Sequence, residues 1–355
     1  MRKGIALAVV GLLLAAVSSY GGFPKLGQAG AQFLKIGVDG RGSAMGGAFT
    51  AVADDISSLY WNPAGAAMLK GPEILISDAE WIADVRNNFV GYASPMGIWG
   101  TLGISVTALS MGKEDVTTVY QPEGTGVQWG ANDVAVALCY AKKFTDRFSF
   151  GMNAKFIQQN IWDMTANGFG FDLGTLYEPG FLEGFRFGMV LLNFSPYSMK
   201  YSGGQLQELL PDSGAMPNQE PSDFQRITQE FAMPMAFKAG MAYEWLPAPQ
   251  NAVTFALDFL HPNDGGERFQ MGAEYGWNEV FFLRLGYAYD PDIQKMPFGE
   301  ERDKADWEED QLTLGGAFGV GIAYPMAGRN LRVDYAGQDM GWLGITHKVS
   351  VGIAF

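Results

Sequence analysis

The sequence predicts an all-β protein: a 14-stranded antiparallel transmembrane β-barrel over residues 73–355, a small N-terminal plug over 20–72, and a signal peptide over 1–19. Three observations carry this expectation. Apolar and small or polar residues alternate with period two along most of the chain. The alternating runs are long and even in number. The connections between them sort into short and long ones at opposite ends.

The chain opens with the basic Met1-Arg2-Lys3, continues through the uncharged, largely apolar Gly4–Val17, and reaches the small, polar Ser18-Ser19-Tyr20-Gly21-Gly22. That order is a secretory signal peptide, with cleavage expected after Ser19. The apolar run is too short for a comfortable membrane span, and no second long one follows. Hydrophobic residues nonetheless make up 48% of the chain, so they must be arranged in another way. The net charge is −14, and removal of Arg2 and Lys3 takes it two units lower, which argues against a nucleic-acid partner. Cys139 is the only cysteine, and His261 and His347 are the only histidines. No disulfide framework, zinc site or nucleophilic triad can be built from them, so no cofactor, metal or catalytic residue is expected and the protein is not read as an enzyme. Abundant Gly (47) with many aromatics suits a membrane barrel, where small residues face a crowded lumen and aromatics meet lipid.

Residues 37–65 read GVDGRGSAMGGAFTAVADDISSLYWNPAG. Side chains this small bury too little apolar area to form a core alone, so the stretch belongs inside something larger. Asn62 precedes Pro63 and is thereby restricted to extended or turn backbone, which predicts a stop and a change of direction. The loose Gly40-x-Gly42-x-x-x-Gly46 pattern lacks the strand–helix setting of a dinucleotide loop and is set aside. The motif residues Arg41, Met45, Gly46, Gly47, Asp54, Asp55, Asn62, Pro63, Ala64 and Gly65, with Ala48, Phe49, Ala53 and Tyr60 between them, resemble the start of mature PorV/PorQ-type outer-membrane proteins. More distantly the stretch is similar to the plug of the FadL-like (FadL/TodX) family of hydrophobic-compound channels, which also ends in an Asn-Pro-Ala turn. The first resemblance implies a protein-binding component linked to type IX-like secretion or cell-surface attachment, with secretion-channel subunits or exported cargo as partners. The second implies, as the alternative, a channel for diffusion of hydrophobic small molecules. Both imply the outer membrane, with lipid and lipopolysaccharide as surroundings.

Beyond the plug, alternating runs are expected at 73–81, 87–96, 100–110, 132–142, 148–159, 167–178, 184–192, 233–245, 251–261, 267–276, 279–289, 311–324, 330–338 and 344–355. In 311–324, Leu312, Leu314, Phe318, Val320, Ile322 and Tyr324 share one face, opposite glycines, alanines and polar residues. Most runs have the length of a tilted membrane strand, and an even count suits a closed bacterial wall. The count also agrees with the strand number of the FadL family. Long connections at 111–131, 193–232 and 290–310 fall on one side and short turns on the other, the pattern of external loops and periplasmic turns. The 193–232 loop carries apolar residues at helical spacing in two short pieces, and 290–310 holds nine acids against three bases. An acidic mouth repels carboxylate ligands and favours neutral compounds or a protein partner. The final run ends on Phe355 in an outward-facing strand, which resembles the signal read by the outer-membrane insertion machinery.

Alternation points Lys155, Asp172, Arg186, Lys238, Glu244, Asp258, Glu274, Arg284, Arg332 and Asp334 into the lumen. Arg284 and Arg332 are suited to grip an anionic substrate. The balance of signs favours the alternative, in which these residues pair with one another and with Arg41, Asp54 and Asp55.

Overall fold

The computed structural model describes residues 27–204, 207–209, 222–224, 228–290, 315–326 and 328–355. The expected signal peptide and all but the first residue of the acidic 290–310 run lie outside them. Fourteen strands form one antiparallel wall: β1 (Glu73–Glu80), β2 (Arg86–Pro95), β3 (Thr101–Ser110), β4 (Ala131–Thr145), β5 (Phe148–Ile161), β6 (Met164–Tyr177), β7 (Phe185–Phe194), β8 (Ala236–Ala248), β9 (Asn251–Pro262), β10 (Arg268–Trp277), β11 (Phe281–Tyr289), β12 (Gly316–Met326), β13 (Arg329–Asp339) and β14 (Ile345–Ala354). Each pairs with its sequence neighbours, and β1 pairs with β14 from Glu73↔Ala354 to Glu80↔His347, which closes the barrel. Closure gives the backbone donors and acceptors partners within the wall, the condition for crossing a hydrocarbon layer.

Alternation sets which face looks out. In β12, Phe318, Val320, Ile322 and Tyr324 are 47–61% exposed, whereas Ala317 and Ala323 are buried. Near the short-turn end, Trp99, Phe144, Tyr177, Trp245, Trp277, Phe281 and Tyr324 stand exposed on the outside, as in an interfacial aromatic belt. The strand ends joined by the short connections 96–100, 146–147, 178–184, 249–250, 278–280 and 327–328 sit at this end, and those joined by the longer 111–130, 195–235 and 290–315 at the other.

Several boundaries differ from the sequence expectation. The 160–166 loop is a two-residue turn at Trp162–Asp163, with Trp162 at φ 54°, so β5 and β6 run further than expected. β8 starts at Ala236 rather than 233, because Met233 turns inward and is buried. Residues 311–314 lie outside the described residues, and β12 begins at Gly316. Of the two pieces expected to be helical in 193–232, residues 205–206, 210–221 and 225–227 lie outside the described residues; within the described ones Gln207–Leu209 pairs antiparallel with Ser222–Phe224, and Phe231 bridges Met199. Apolar spacing over such short pieces cannot separate helix from strand.

The core lies inside the wall. Almost every residue from Ala31 to Ala66 is buried. This segment holds two short helices, α1 (Gly40–Ala44) and α2 (Ser58–Trp61), and 3-10 turns at Gln32–Lys35 and Pro63–Met68.

Candidate functional site

The N-terminal segment is shaped by its own polar residues before it meets the wall. Asp39 caps α1, its Oδ2 accepting from the Gly42 N–H at 2.9 Å, while Oδ1 accepts from the Trp61 indole N–H at 2.6 Å. Gly46 and Gly47 follow with φ of 65° and 81°, a left-handed reversal that side chains resist. Met45 is buried with Phe49 and Trp61 in one cluster. Asn62 is extended, ends α2 and caps the turn begun by Pro63, its Oδ1 accepting from the Ala64 N–H at 3.2 Å. Its amide donates to Thr50 O at 2.8 Å and to Thr175 O of β6 at 3.1 Å, which ties the turn to the wall. Gly65 lies hard against the Ala53 carbonyl. Wall glycines mark where the segment rests. A β-carbon at Gly151, Gly174, Gly188, Gly272, Gly286 or Gly319 would strike Pro63, Asn62, Thr50, Met45, Gly46 or Ala44 respectively.

Four guanidiniums and four carboxylates form a continuous network between segment and wall. Arg41 pairs with Glu274 of β10 through both ends of its fork (3.0 and 2.8 Å) and through Nη1 with Asp54 (2.6 Å) and Asp55 (2.8 Å). Arg284 donates to Glu274 at 2.5 Å and pairs with Asp334 at 2.8 Å. Arg332 reaches Asp334 at 2.9 Å, and Glu274 and Asp55 at 3.6 and 3.7 Å. Arg186 meets Asp54 and Val52 O, each at 3.3 Å. No net charge remains, so Arg284 and Arg332 are engaged with carboxylates of this chain. Burial alone would raise the Asp55 carboxyl, but Arg41 and Arg332 outweigh it and hold it below its ordinary range.

The other predicted charges fall into separate groups. Lys155 pairs with Asp172 at 2.7 Å and donates to Asn193 Oδ1 at 2.8 Å. Lys238 donates to Gly47 O at 3.1 Å, and Asp258 accepts from the Phe49 and Thr50 N–H groups. Glu244 lines a cavity of about 670 Å³ at the short-turn end, beside Arg186, Glu178 and Phe185. Sequence reasoning missed Lys348, fully buried and bonded to Ser43 and Gln338, and Asn87, also buried. Alternation against outward Val349 and Val90 carried the signal for both.

Towards the long loops the lumen turns apolar. Phe33, Leu34 and Ile36 of the N-terminal segment pack with Ile157, Ala166, Met199 and Met233, flanked by Trp81, Leu109, Tyr201 and Phe231. This cluster lies behind a break in the wall. Asn193 takes φ 55° and donates its N–H to Asp172, and the β6–β7 register shifts there. Beyond Phe171 the β7 ladder stops, and Tyr201–Gly203 pairs only with Met164–Ala166. Among the described residues, Asn167–Gly170 therefore has no ladder partner on that side. Met199 and Met233 press against Gly168 and Gly170 from within.

With that geometry in view, the chain is similar to several solved structures. The toluene transporter TbuX of Ralstonia pickettii shares 13% identity at a TM-score of 0.53, over 90% of this chain and 97% of that one. A deltaS2 mutant of the monoaromatic hydrocarbon channel TodX shares 12% at 0.52, over 89% and 97%. The fold is FadL-like. A FadL homologue of Pseudomonas aeruginosa agrees, with 9% identity at a TM-score of 0.51 over 90% of this chain and 98% of that one. The model of an uncharacterised protein family, UPF0164, matches residues 13–168. No curated protein matches the chain.

Proposed function

We propose that this protein is an outer-membrane channel for hydrophobic small molecules, with residues 20–72 as its plug. One observation carries the reading: the apolar cluster lies directly behind the unladdered stretch Asn167–Gly170. A general porin keeps a polar, water-filled lumen, whereas an apolar interior suits a ligand poorly soluble in water. Such a ligand enters from the long-loop end, rests against Phe33, Leu34 and Ile157, and leaves sideways past Met199 and Met233. The solved structures of similar fold include a toluene transporter and a monoaromatic hydrocarbon channel, which supports the same class. The protein-binding role implied by the likeness to PorV/PorQ proteins has no comparable support from the neighbours or the family description.

The test is uptake of radiolabelled toluene by cells expressing the protein in a host without its own hydrocarbon channel. Saturable uptake above the vector control is expected, with no gain for a polar sugar of similar size. Equal uptake with and without the protein overturns the reading. Co-purification of a secretion-channel subunit from native membranes, in place of lipid-like small molecules, favours the protein-binding role.

A further inference from the structure

We infer that the lumen discriminates among hydrophobic compounds through Asn87, selecting those that carry one neutral hydrogen-bonding group over bare hydrocarbons. This rests on the channel reading and names its substrate class. Asn87 is 2% exposed on the inner face of β2, between outward Arg86 and Asn88, yet neither its amide nitrogen nor its amide oxygen has a partner among the described residues. In the ladder it stands between Ala79 of β1 and Leu109 of β3, and Leu109 packs on the apolar cluster. A buried amide left with an unused donor and acceptor is costly, and a ligand group able to accept or donate there recovers that loss.

The neighbouring charges are already spoken for. Lys348, opposite Ala79 on β14, is bonded to Ser43 and Gln338, and Asp133, opposite Leu109 on β4, accepts from Gln159. The group on offer to a ligand is thus a neutral amide between Ala79 and Leu109, matched to an alcohol, phenol, ketone or amide rather than to an ion. Access is also built in. Trp81 lies diagonal to Asn87 on the same side of β1–β2, half-buried against the cluster, and opens the 81–85 connection. Ala83 and Asp84 in that connection hold φ of 57° and 58°, a left-handed pair that non-glycine residues adopt at a cost. Relaxation of that turn moves Trp81 away from Asn87 and lets a ligand body take its place on the cluster.

The experiment compares toluene with benzyl alcohol, binding each to the purified full-length protein in detergent. The expected result is that benzyl alcohol binds at least about tenfold more tightly than toluene despite its lower hydrophobicity, because a site that satisfies a hydroxyl gains more than the lost apolar area. In Asn87→Leu, which keeps the size in an apolar setting, that preference disappears while toluene binding persists or tightens. Equal affinities in the unsubstituted protein, or a preference unchanged in Asn87→Leu, overturn the assignment of Asn87 and leave the channel reading standing. Binding of neither compound overturns both. Should Asn87→Leu fail to fold, seen as loss of the heat-modifiable gel band, the comparison in the unsubstituted protein still decides.

Discussion

Arg41 holds two carboxylates of its own segment and one of the wall, so a single guanidinium joins the N-terminal segment to the barrel. Glu274 is its counterpart, receiving Arg41 and Arg284 at hydrogen-bond distance. Removal of one partner from a buried ion network strands the others, at about 3–5 kcal/mol. Glu274→Ala is therefore expected to expose the N-terminal segment to protease in detergent, and Glu274→Gln to do so less. Asp55 adds a pH dependence with a fixed sign. Its carboxyl is held below the ordinary range, so its contribution is fully present above that range, near pH ~4 for a free carboxylate, and is lost as pH falls below it. The stability difference between the protein and Asp55→Asn, read from thermal unfolding in detergent, should hold constant from neutral pH down to that point and shrink beneath it. A difference that does not change with pH would show that Asp55 does not couple the segment to the wall. Asn62→Ala removes bonds to Thr50 O and Thr175 O and the cap on Ala64, and should also raise protease access at the turn.

Strands were the most legible elements, because their pattern answers directly to two solvents. Phe318, Val320, Ile322 and Tyr324 face out while Ala317 and Ala323 face in, and that contrast is visible in the sequence. The inward position of Glu274, Arg284, Arg332 and Asp334 was readable from the same alternation. Their pairing geometry was not, since it depends on the path of the enclosed segment across the lumen. The break above Phe171 was also hidden: Asn193 in a left-handed conformation leaves no periodic trace. In the 193–232 connection, the described Leu209, Phe224 and Phe231 serve short ladders that apolar spacing does not distinguish from helix. An outward strand position gives the matching prediction. Leu285, 67% exposed midway along β11, should tolerate Ile, whereas Leu285→Arg should cost about 2–4 kcal/mol in lipid, measured by urea-dependent folding into vesicles.

For the whole molecule, orientation is the first thing to establish. Val119 and Tyr120 are each 94% exposed at the tip of the 111–130 connection. If the long loops face outward, chymotrypsin added to intact cells should cut after Tyr120 and leave the short turn bearing Phe181 untouched. The reverse pattern would invert the barrel and place the apolar cluster on the inner side.

The closing seam sets an order of events during assembly. Residues 73–80 find their second row of partners only in 347–354, so the wall stays open until its last strand arrives. The N-terminal segment is anchored on that last strand, through Gly40 to Ser350 and Lys348 to Ser43, yet it lies upstream of the first. A finished cylinder offers no easy way in for a segment that wide. The segment should then serve as a mandrel around which the sheet is wound, and a variant that frays it is expected to close slowly before any loss appears in the completed barrel.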